Sequence, residues 1–465
     1  MNQSTPPVTG FSALPLRPEI LSAVGALGYT TMTPVQAQSL PPLLEGRDLI
    51  AQAKTGSGKT AAFAISLLNR LDETAYHTQA LVICPTRELA EQVAEEIRRL
   101  ARHIPNVKTL TLCGGRPMGP QLASLKRAPH IVVGTPGRLL KHLAKETLSI
   151  GRVESLVLDE ADRMLGMGFI EDIDDIDDYL PQVRQTLLFS ATYPEEIAQL
   201  SAEFQTDPVD VRIDVGEANA QITQRFYAVE RGDRLALLLR VIDEQRPQST
   251  LIFCNQKHQC EQLKDDLWAN DLHALALHGD MEQFERDRTL IQFSNGSSSI
   301  LVATDVAARG LDISELDLVV NFELSADPEV HTHRIGRTGR AGHEGLAVSL
   351  VMPSEANRVG AIANYGGIRI TMDSPDALPA STPFKLFPAM VTLSIGGGKR
   401  DKLRPGDIVG ALTAAGTIEG SQIGKIAVLD RLSYVAVTQA AAKAALTLLN
   451  DSKIKGRRYQ ARRQR

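Results

Sequence analysis

The stretch AKTGSGKT, Ala53 to Thr60, constrains the fold of this chain more than any other. It follows the apolar run Leu49-Ile50-Ala51 and leads into AAFAISLLNRL, whose apolar spacing predicts a helix. A strand feeding a glycine-rich turn that opens a helix is a phosphate cradle. Glycine at 56 and 58 lets backbone N–H groups approach phosphate oxygens without a Cβ in the way, and the helix N-terminus adds partial positive charge. In such a cradle Thr55, Gly56, Ser57 and Gly58 wrap the phosphates, Lys59 reaches the β/γ-phosphates and Thr60 offers its hydroxyl to Mg²⁺. The strict pattern has glycine where Ala53 stands, so the loop needs support from elsewhere in the chain.

At 465 residues the chain exceeds what one hydrophobic core usually serves, and about three domains are expected. A net charge of −5 gives no global basic field, so any polyanion must be met by local patches. Cys84, Cys113, Cys254 and Cys260 show no paired CxxC spacing, and three lie in or beside apolar strand-like runs, which favours buried reduced thiols over metal ligands. The first residues, MNQSTPPVTG, lack a basic start and a continuous apolar stretch, and no run approaches membrane-spanning length. A soluble cytoplasmic protein with no membrane partner is expected.

Short β-branched runs then alternate with helical stretches: ALVIC (80–84), TLTLC (109–113), HIVVG (130–134), SLVLD (155–159) and TLLFSA (186–191). That alternation predicts a parallel sheet. Between the first two runs, Leu89, Val93, Ile97, Leu100 and Ile104 fall three or four apart, a packing face with Glu91, Glu95, Arg98 and Arg99 turned away. The acidic EDIDDIDD (171–178) reads as a solvated helix with buried isoleucines rather than a cation site. After an aperiodic stretch at 213–222, the alternation restarts with QRFYAV, TLIFC, ALALH, SILVAT, LDLVVNF and GLAVSLV. A Pro- and Ser-rich break follows at 371–384, and the last unit reads as β-α-β-β-α-β, the split βαβ arrangement of RNA-recognition folds. The expected architecture is α/β: two tandem RecA-like parallel-sheet domains at 1–212 and 223–370, linkers at 213–222 and 371–388, and an RRM-like α+β domain with a basic tail at 389–465.

Asp159 and Glu160 of SLVLDEAD stand where a strand ends, at the sheet edge that also carries the cradle. There Asp159 suits Mg²⁺ and Glu160 suits orienting or deprotonating the water that attacks the γ-phosphate. Without a phosphate loop upstream, such acids more often complement a helix dipole. In the second unit HRIGRTGRAG, His333 to Gly342, sets three arginines among glycines. Placed opposite the cradle, Arg337 and Arg340 would neutralise charge on the transferring phosphoryl group, an effect of about 10³ to 10⁵ in rate.

With all of these in order, the first 370 or so residues resemble the DEAD-box RNA helicases. The resemblance implies ATP and Mg²⁺ as cofactors and RNA as partner. It places Gln36 of the segment Thr33-Pro34-Val35-Gln36 on the adenine edge with Phe11 as its upstream aromatic, although Met32 stands where the family has proline. It assigns Pro85, Thr86 and Arg87, Gly114 and Gly115, and Thr135, Pro136, Gly137 and Arg138 to the RNA backbone, and Ser190-Ala191-Thr192 to coupling hydrolysis with strand separation. In the second unit it assigns Gln283, Arg286, Thr304 and Gly310 to RNA, Asp312 to the ATP ribose, His333 to a contact with the carboxylate motif, and Arg337 and Arg340 to the finger role.

The C-terminal strings VTLSIGGGK, RPGDIVGAL and IGKIAV are similar to those of the DbpA group of that family, whose appended domain binds large-subunit ribosomal RNA. Only Tyr434 and Tyr459 offer aromatic stacking there, whereas Lys399, Arg400, Lys402, Arg404 and the seven Lys or Arg among the last fifteen residues offer a basic route. A disordered solubilising tail is the alternative for those last residues. The resemblance implies an RNA-dependent ATPase that unwinds or remodels structured RNA during large-subunit assembly, as a monomer. An ATP-gated RNA clamp that displaces no strands, or a phosphate-loop ATPase driving a protein or DNA partner, are the competing readings.

Overall fold

The computed structural model describes residues 10–53, 56–213, 222–230, 232–308, 316–339, 345–379 and 384–464. Four expected site residues, Thr55, Gly310, Asp312 and Arg340, lie outside them.

In the first unit seven strands form one sheet: β1 (Leu49–Gln52), β2 (Ala80–Ile83), β3 (Thr109–Leu112), β4 (Ile131–Gly134), β5 (Ser155–Asp159), β6 (Gln185–Ser190) and β7 (Val209–Arg212). All pairings are parallel, in the order β3-β4-β2-β5-β6-β1-β7. Because alternate side chains of a strand leave on opposite faces, each strand feeds two cores. Ala51, Val82, Val133, Val157 and Phe189 pack with Phe63, Val93 and Ile97 on one face; Ile50, Leu81, Val132, Leu158 and Leu188 pack with Leu139, Ile173 and Ile197 on the other. The helix Arg87–Leu100 buries the predicted face, and the acidic helix Ile170–Asp177 buries Ile173 and Ile176.

The second unit repeats the plan with β8 (Ile222–Ala228), β9 (Thr250–Cys254), β10 (Ala274–Leu277), β11 (Ile300–Thr304), β12 (Leu318–Asn321), β13 (Gly345–Val351) and β14 (Met372–Asp373). Their parallel order, β10-β11-β9-β12-β13-β8-β14, is the first sheet's order shifted by one set of strands. The same unit contains the C-terminal antiparallel sheet, β15 (Met390–Ile395), β16 (Ile423–Val428), β17 (Ser433–Thr438) and β18 (Ala461–Arg463), ordered β16-β17-β15-β18. Helices Pro405–Thr413 and Ala442–Asp451 cover its inner face through Ile408, Leu412, Ala445 and Leu449, completing β-α-β-β-α-β.

Two details of the C-terminal reading change. Neither tyrosine is free to stack on a base: Tyr459 packs in the hydrophobic core against Gly397, and Tyr434 is buried on the sheet's other face. The basic tail is ordered through β18, because Leu393 to Ile395 of β15 supply the ladder partners for residues 461–463. All four cysteines are buried and free. Among the described residues no helix is long and apolar enough to cross a membrane.

Candidate functional site

Strand order gathers the first unit's predicted residues along the carboxyl edge of one sheet. The cradle leaves β1 and enters the helix Lys59–Arg70 through Gly56 at φ 82° and Gly58 at φ 96°, left-handed conformations that glycine adopts without Cβ strain. A Cβ on Gly58 would also lie 2.5 Å from the Gln36 amide nitrogen. Gln36 is tied in twice: its Oε1 accepts the Thr33 N–H at 2.9 Å and its Nε2 donates to the Gly58 carbonyl at 3.1 Å. The capping box at Thr33 therefore fixes the helix Pro34–Leu44 and the cradle to one another. Phe11 is buried in the core of this unit.

Lys59 is only 5% exposed, and its Nζ donates to the Ala53 carbonyl at 2.6 Å across the base of the loop. Ser57 Oγ is buried without a hydrogen-bond partner, and Thr60 sits in the first helical turn. Two strands away, Asp159 ends β5. Burial pushes its pKa up to about 7 against the lowering influence of Lys59, with Glu160 raising it further. A buried carboxyl suits a divalent cation, and the oxygens of Asp159 and Thr60 are of the hard kind that would hold Mg²⁺. When bound, Mg²⁺ would offset negative charge on the phosphates.

Glu160 follows in a left-handed conformation, φ 55° and ψ 52°, which costs a non-glycine residue about 1–3 kcal/mol. Its carboxylate is held by Arg163 at 2.7 Å, both side chains buried. Asp162 accepts the backbone N–H groups of Ala191 and Thr192 at 3.1 and 2.9 Å and the Thr192 hydroxyl at 3.0 Å. The carboxylate segment after β5 is thus bonded to the Ser-Ala-Thr segment after β6.

The expected RNA-backbone loops follow β2, β3 and β4, neighbours in the sheet. Thr86 caps the helix Arg87–Leu100 by accepting the Leu89 N–H. Arg87 lies so close to Gly114 and Gly115 that a Cβ on Gly115 would overlap its guanidinium. Thr135 and Pro136 open the helix Pro136–Leu143, and Arg138 donates to the Arg116 carbonyl at 3.1 Å and to Gln121 Oε1 at 2.6 Å. Three loops distant in sequence are thereby assembled into one surface with arginines held in place.

In the second unit Gln283 and Arg286 occupy the first turn of the helix Gln283–Ser294, where Arg286 donates to the carbonyls of His278 and Ala307. Thr304 ends β11; His333 lies on the helix Pro328–Ile335, and Arg337, just past it, is buried.

Residues 33–200 match the DEAD/DEAH box helicase family, residues 233–342 the helicase conserved C-terminal domain, and residues 392–463 the DbpA RNA binding domain. The chain is 53% identical over 457 residues to the ATP-dependent RNA helicase DbpA of Escherichia coli, spanning 98% of this chain and 99% of that one. The chain belongs to the DEAD-box ATP-dependent RNA helicases. It is 44% identical over 353 residues to the DEAD-box helicase CshA of Bacillus cereus, 76% of this chain and 67% of the relative. Saccharomyces cerevisiae Dbp5 bound to RNA and ADP BeF3 is structurally similar at a TM-score of 0.73 and 30% identity, covering 79% of this chain and 96% of the other. Like other DEAD-box helicases, this one hydrolyses ATP and acts on RNA.

Sequence reasoning does not single out the residue that organises the second helicase sheet. Arg334 is buried and donates to Asp305 at 2.6 and 2.7 Å, Asn321 at 3.2 Å, the Glu323 carbonyl at 2.6 Å and Asn255 at 2.8 Å, with its guanidinium 5.1 Å from the Phe253 ring. It ties the ends of β9, β11 and β12 to the helix that carries His333. Among three arginines in one decapeptide, only partners remote in sequence distinguish it. Asp162 and Arg163 are likewise missed by motif reading, although both lie within three residues of Glu160.

Proposed function

We propose that this helicase uses ATP for local remodelling of structured large-subunit (23S) ribosomal RNA during ribosome assembly. The observation that carries the reading is the near full-length match to DbpA, together with the match of residues 392–463 to the DbpA RNA binding domain. A basic loop edge supports it: Lys399, Arg400, Lys402 and Arg404 after β15, Arg431 between β16 and β17, and Lys455, Arg457 and Arg458 before β18 are largely exposed. These segments are joined, since Lys399 N donates to the Leu429 carbonyl at 2.8 Å and Lys455 Nζ to the Lys402 carbonyl at 2.6 Å. Clustered lysines and arginines without exposed aromatics favour phosphate contacts over base stacking.

In this reading residues 1–212 and 223–370 both serve ATP hydrolysis. Thr55 to Thr60 hold the phosphates, Asp159 and Thr60 hold Mg²⁺, and Gln36 and Phe11 receive the adenine. Glu160 orients or deprotonates the attacking water, Asp312 takes the ribose, His333 meets the carboxylate motif, and Arg337 and Arg340 neutralise the transferring phosphoryl group. Pro85 to Arg87, Gly114, Gly115, Thr135 to Arg138, Gln283, Arg286, Thr304 and Gly310 hold the RNA backbone. The buried free thiols suit a reducing compartment such as the cytoplasm. ATPase rates titrated with large-subunit ribosomal RNA fragments and with unrelated RNA of equal length test the proposal. Half-maximal stimulation at lower ribosomal fragment concentration is expected; equal curves would contradict it.

A further inference from the structure

The short helix Met118–Leu125 buries one residue, and that residue is polar: Gln121, 7% exposed. A buried carboxamide must find acceptors for its N–H groups and donors for its oxygen, so its partners are set by chemistry as well as by shape. Just past β3, the Cys113 carbonyl accepts from Gln121 Nε2 at 3.1 Å. Gln121 Oε1 accepts twice, from Arg138 Nη1 at 2.6 Å and from His142 Nε2 at 3.0 Å, both on the helix Pro136–Leu143 that follows β4. Turning the amide over would set N–H against N–H at Arg138 and oxygen against oxygen at Cys113. One orientation serves all three partners.

His142 locks that orientation from the core side. The ring is fully buried. Because the Gln121 oxygen can only accept, the ring proton sits on Nε2, and Nδ1 takes the Thr147 hydroxyl proton at 2.8 Å. Burial, aided by the Arg138 and Lys145 charges, lowers the pKa of His142, which keeps the imidazole neutral. On the solvent side the same amide shapes the loop at 114–116. Arg138 Nη1 and Nη2 both donate to the Arg116 carbonyl at 3.1 Å, Arg116 pairs with Glu91 at 3.2 Å, and the Arg87 guanidinium lies against Gly115. The β3–β4 ladder ends at Leu112 and Gly134, and beyond it Gln121 and Arg138 join the two loops.

We propose that Gln121 is a positioning residue for RNA binding: its carboxamide, locked by His142, holds the loop at 113–116 and Arg138 at one fixed spacing before RNA arrives. RNA then meets a surface whose ordering cost is already met within the fold, so the bond network lowers the RNA concentration needed and leaves the chemistry at the cradle untouched. The RNA half of this inference rests on the assignment of Gly114, Gly115 and Thr135 to Arg138 to the RNA backbone made above; the bracing half does not.

Full-length Gln121→Met, close in length but without the three hydrogen bonds, tests it. The RNA concentration giving half-maximal ATPase stimulation is expected to rise about tenfold, while the rate at saturating RNA and the RNA-free rate stay within about twofold. Adding Gln121→Met to Arg138→Met should cost less than about twofold more than Arg138→Met alone, because the two act as a unit. Hydrogen exchange of the RNA-free protein over residues 112–121 and 134–143 reads the brace itself and should quicken several-fold. Unchanged exchange, additive losses, or a fall confined to the saturated rate would each overturn the proposal. A half-maximal concentration unmoved by Gln121→Met but raised by Arg138→Met would overturn the positioning role alone. One unmoved by either variant would overturn the RNA assignment of these loops and the positioning role with it. Should the methionine variant fail to fold, Gln121→Glu keeps oxygens for Arg138 and His142 and sets one against the Cys113 carbonyl. It should raise the same concentration several-fold, and no rise would contradict the proposal.

Discussion

Asp162 and Thr192 are joined by two hydrogen bonds, the Thr192 N–H at 2.9 Å and its hydroxyl at 3.0 Å, both received by one carboxylate oxygen. The carboxylate segment cannot shift without moving the Ser-Ala-Thr segment. Thr192→Val removes the hydroxyl bond and keeps the shape, a loss of about 1 kcal/mol. Strand displacement should fall several-fold more than RNA-stimulated ATPase, measured side by side; equal losses would separate this pair from coupling.

Lys59→Ala removes the ammonium group at the cradle. Hydrolysis should drop by at least about 10² while the thermal midpoint changes little, since loss of a group acting on the transferring phosphate raises the barrier without opening a core cavity. Retained turnover would contradict the assignment of Ala53 to Thr60.

Arg334 is a stability prediction. Replacing it with Met leaves Asp305 beside the polar groups of Asn255 and Asn321 with its cation gone, which should cost about 3–5 kcal/mol. Denaturant unfolding of the full chain would show an early transition from the second unit. An unchanged profile would mean the network contributes little.

His331 sets a pH dependence. Its ring stacks on Phe226 at 5.9 Å and meets Gln224 at 3.3 Å, and burial, aided by the Arg334 charge, pushes its pKa down to about 4. The unfolded chain takes up this proton near 6.5 and the folded chain only near 4, so the unfolded state binds more protons between those values. The stability contribution is complete above about pH 6.5 and is lost as pH falls toward 4, on the order of 3 kcal/mol. His331→Gln should flatten that part of the melting-temperature profile; an unaltered slope would contradict the burial argument.

Alanine at Lys399, Arg400 and Lys402 should weaken binding to ribosomal fragments and reduce the slope of log affinity against log salt by about 1 for each phosphate no longer neutralised. Fragment binding measured at several salt concentrations would show it, and an unchanged slope would mean these side chains touch no phosphate.

Features carried by local pattern were legible in the sequence. The cradle glycines announce their left-handed backbone, the apolar runs announce buried parallel strands, and the isoleucines of 170–177 announce a buried face despite six acidic neighbours in EDIDDIDD. Features that depend on partners far along the chain were not. Arg334 looks like its neighbours until Asp305, Asn255 and Asn321 converge on it, and Gln36 looks like an adenine reader without showing its bond to Gly58. Tyr434 reads as an exposed strand aromatic because nothing near position 434 signals that the helix Gln283–Ser294 covers it.

Strand displacement is the most direct test of whether energy released at the cradle separates RNA. A short RNA duplex flanked by a large-subunit ribosomal RNA fragment, mixed with the protein in single turnover, should come apart with ATP, stay paired without nucleotide, and stay paired with the Lys59→Ala variant. Tight ATP-dependent binding that displaces no strand would contradict the account and leave a clamp in its place.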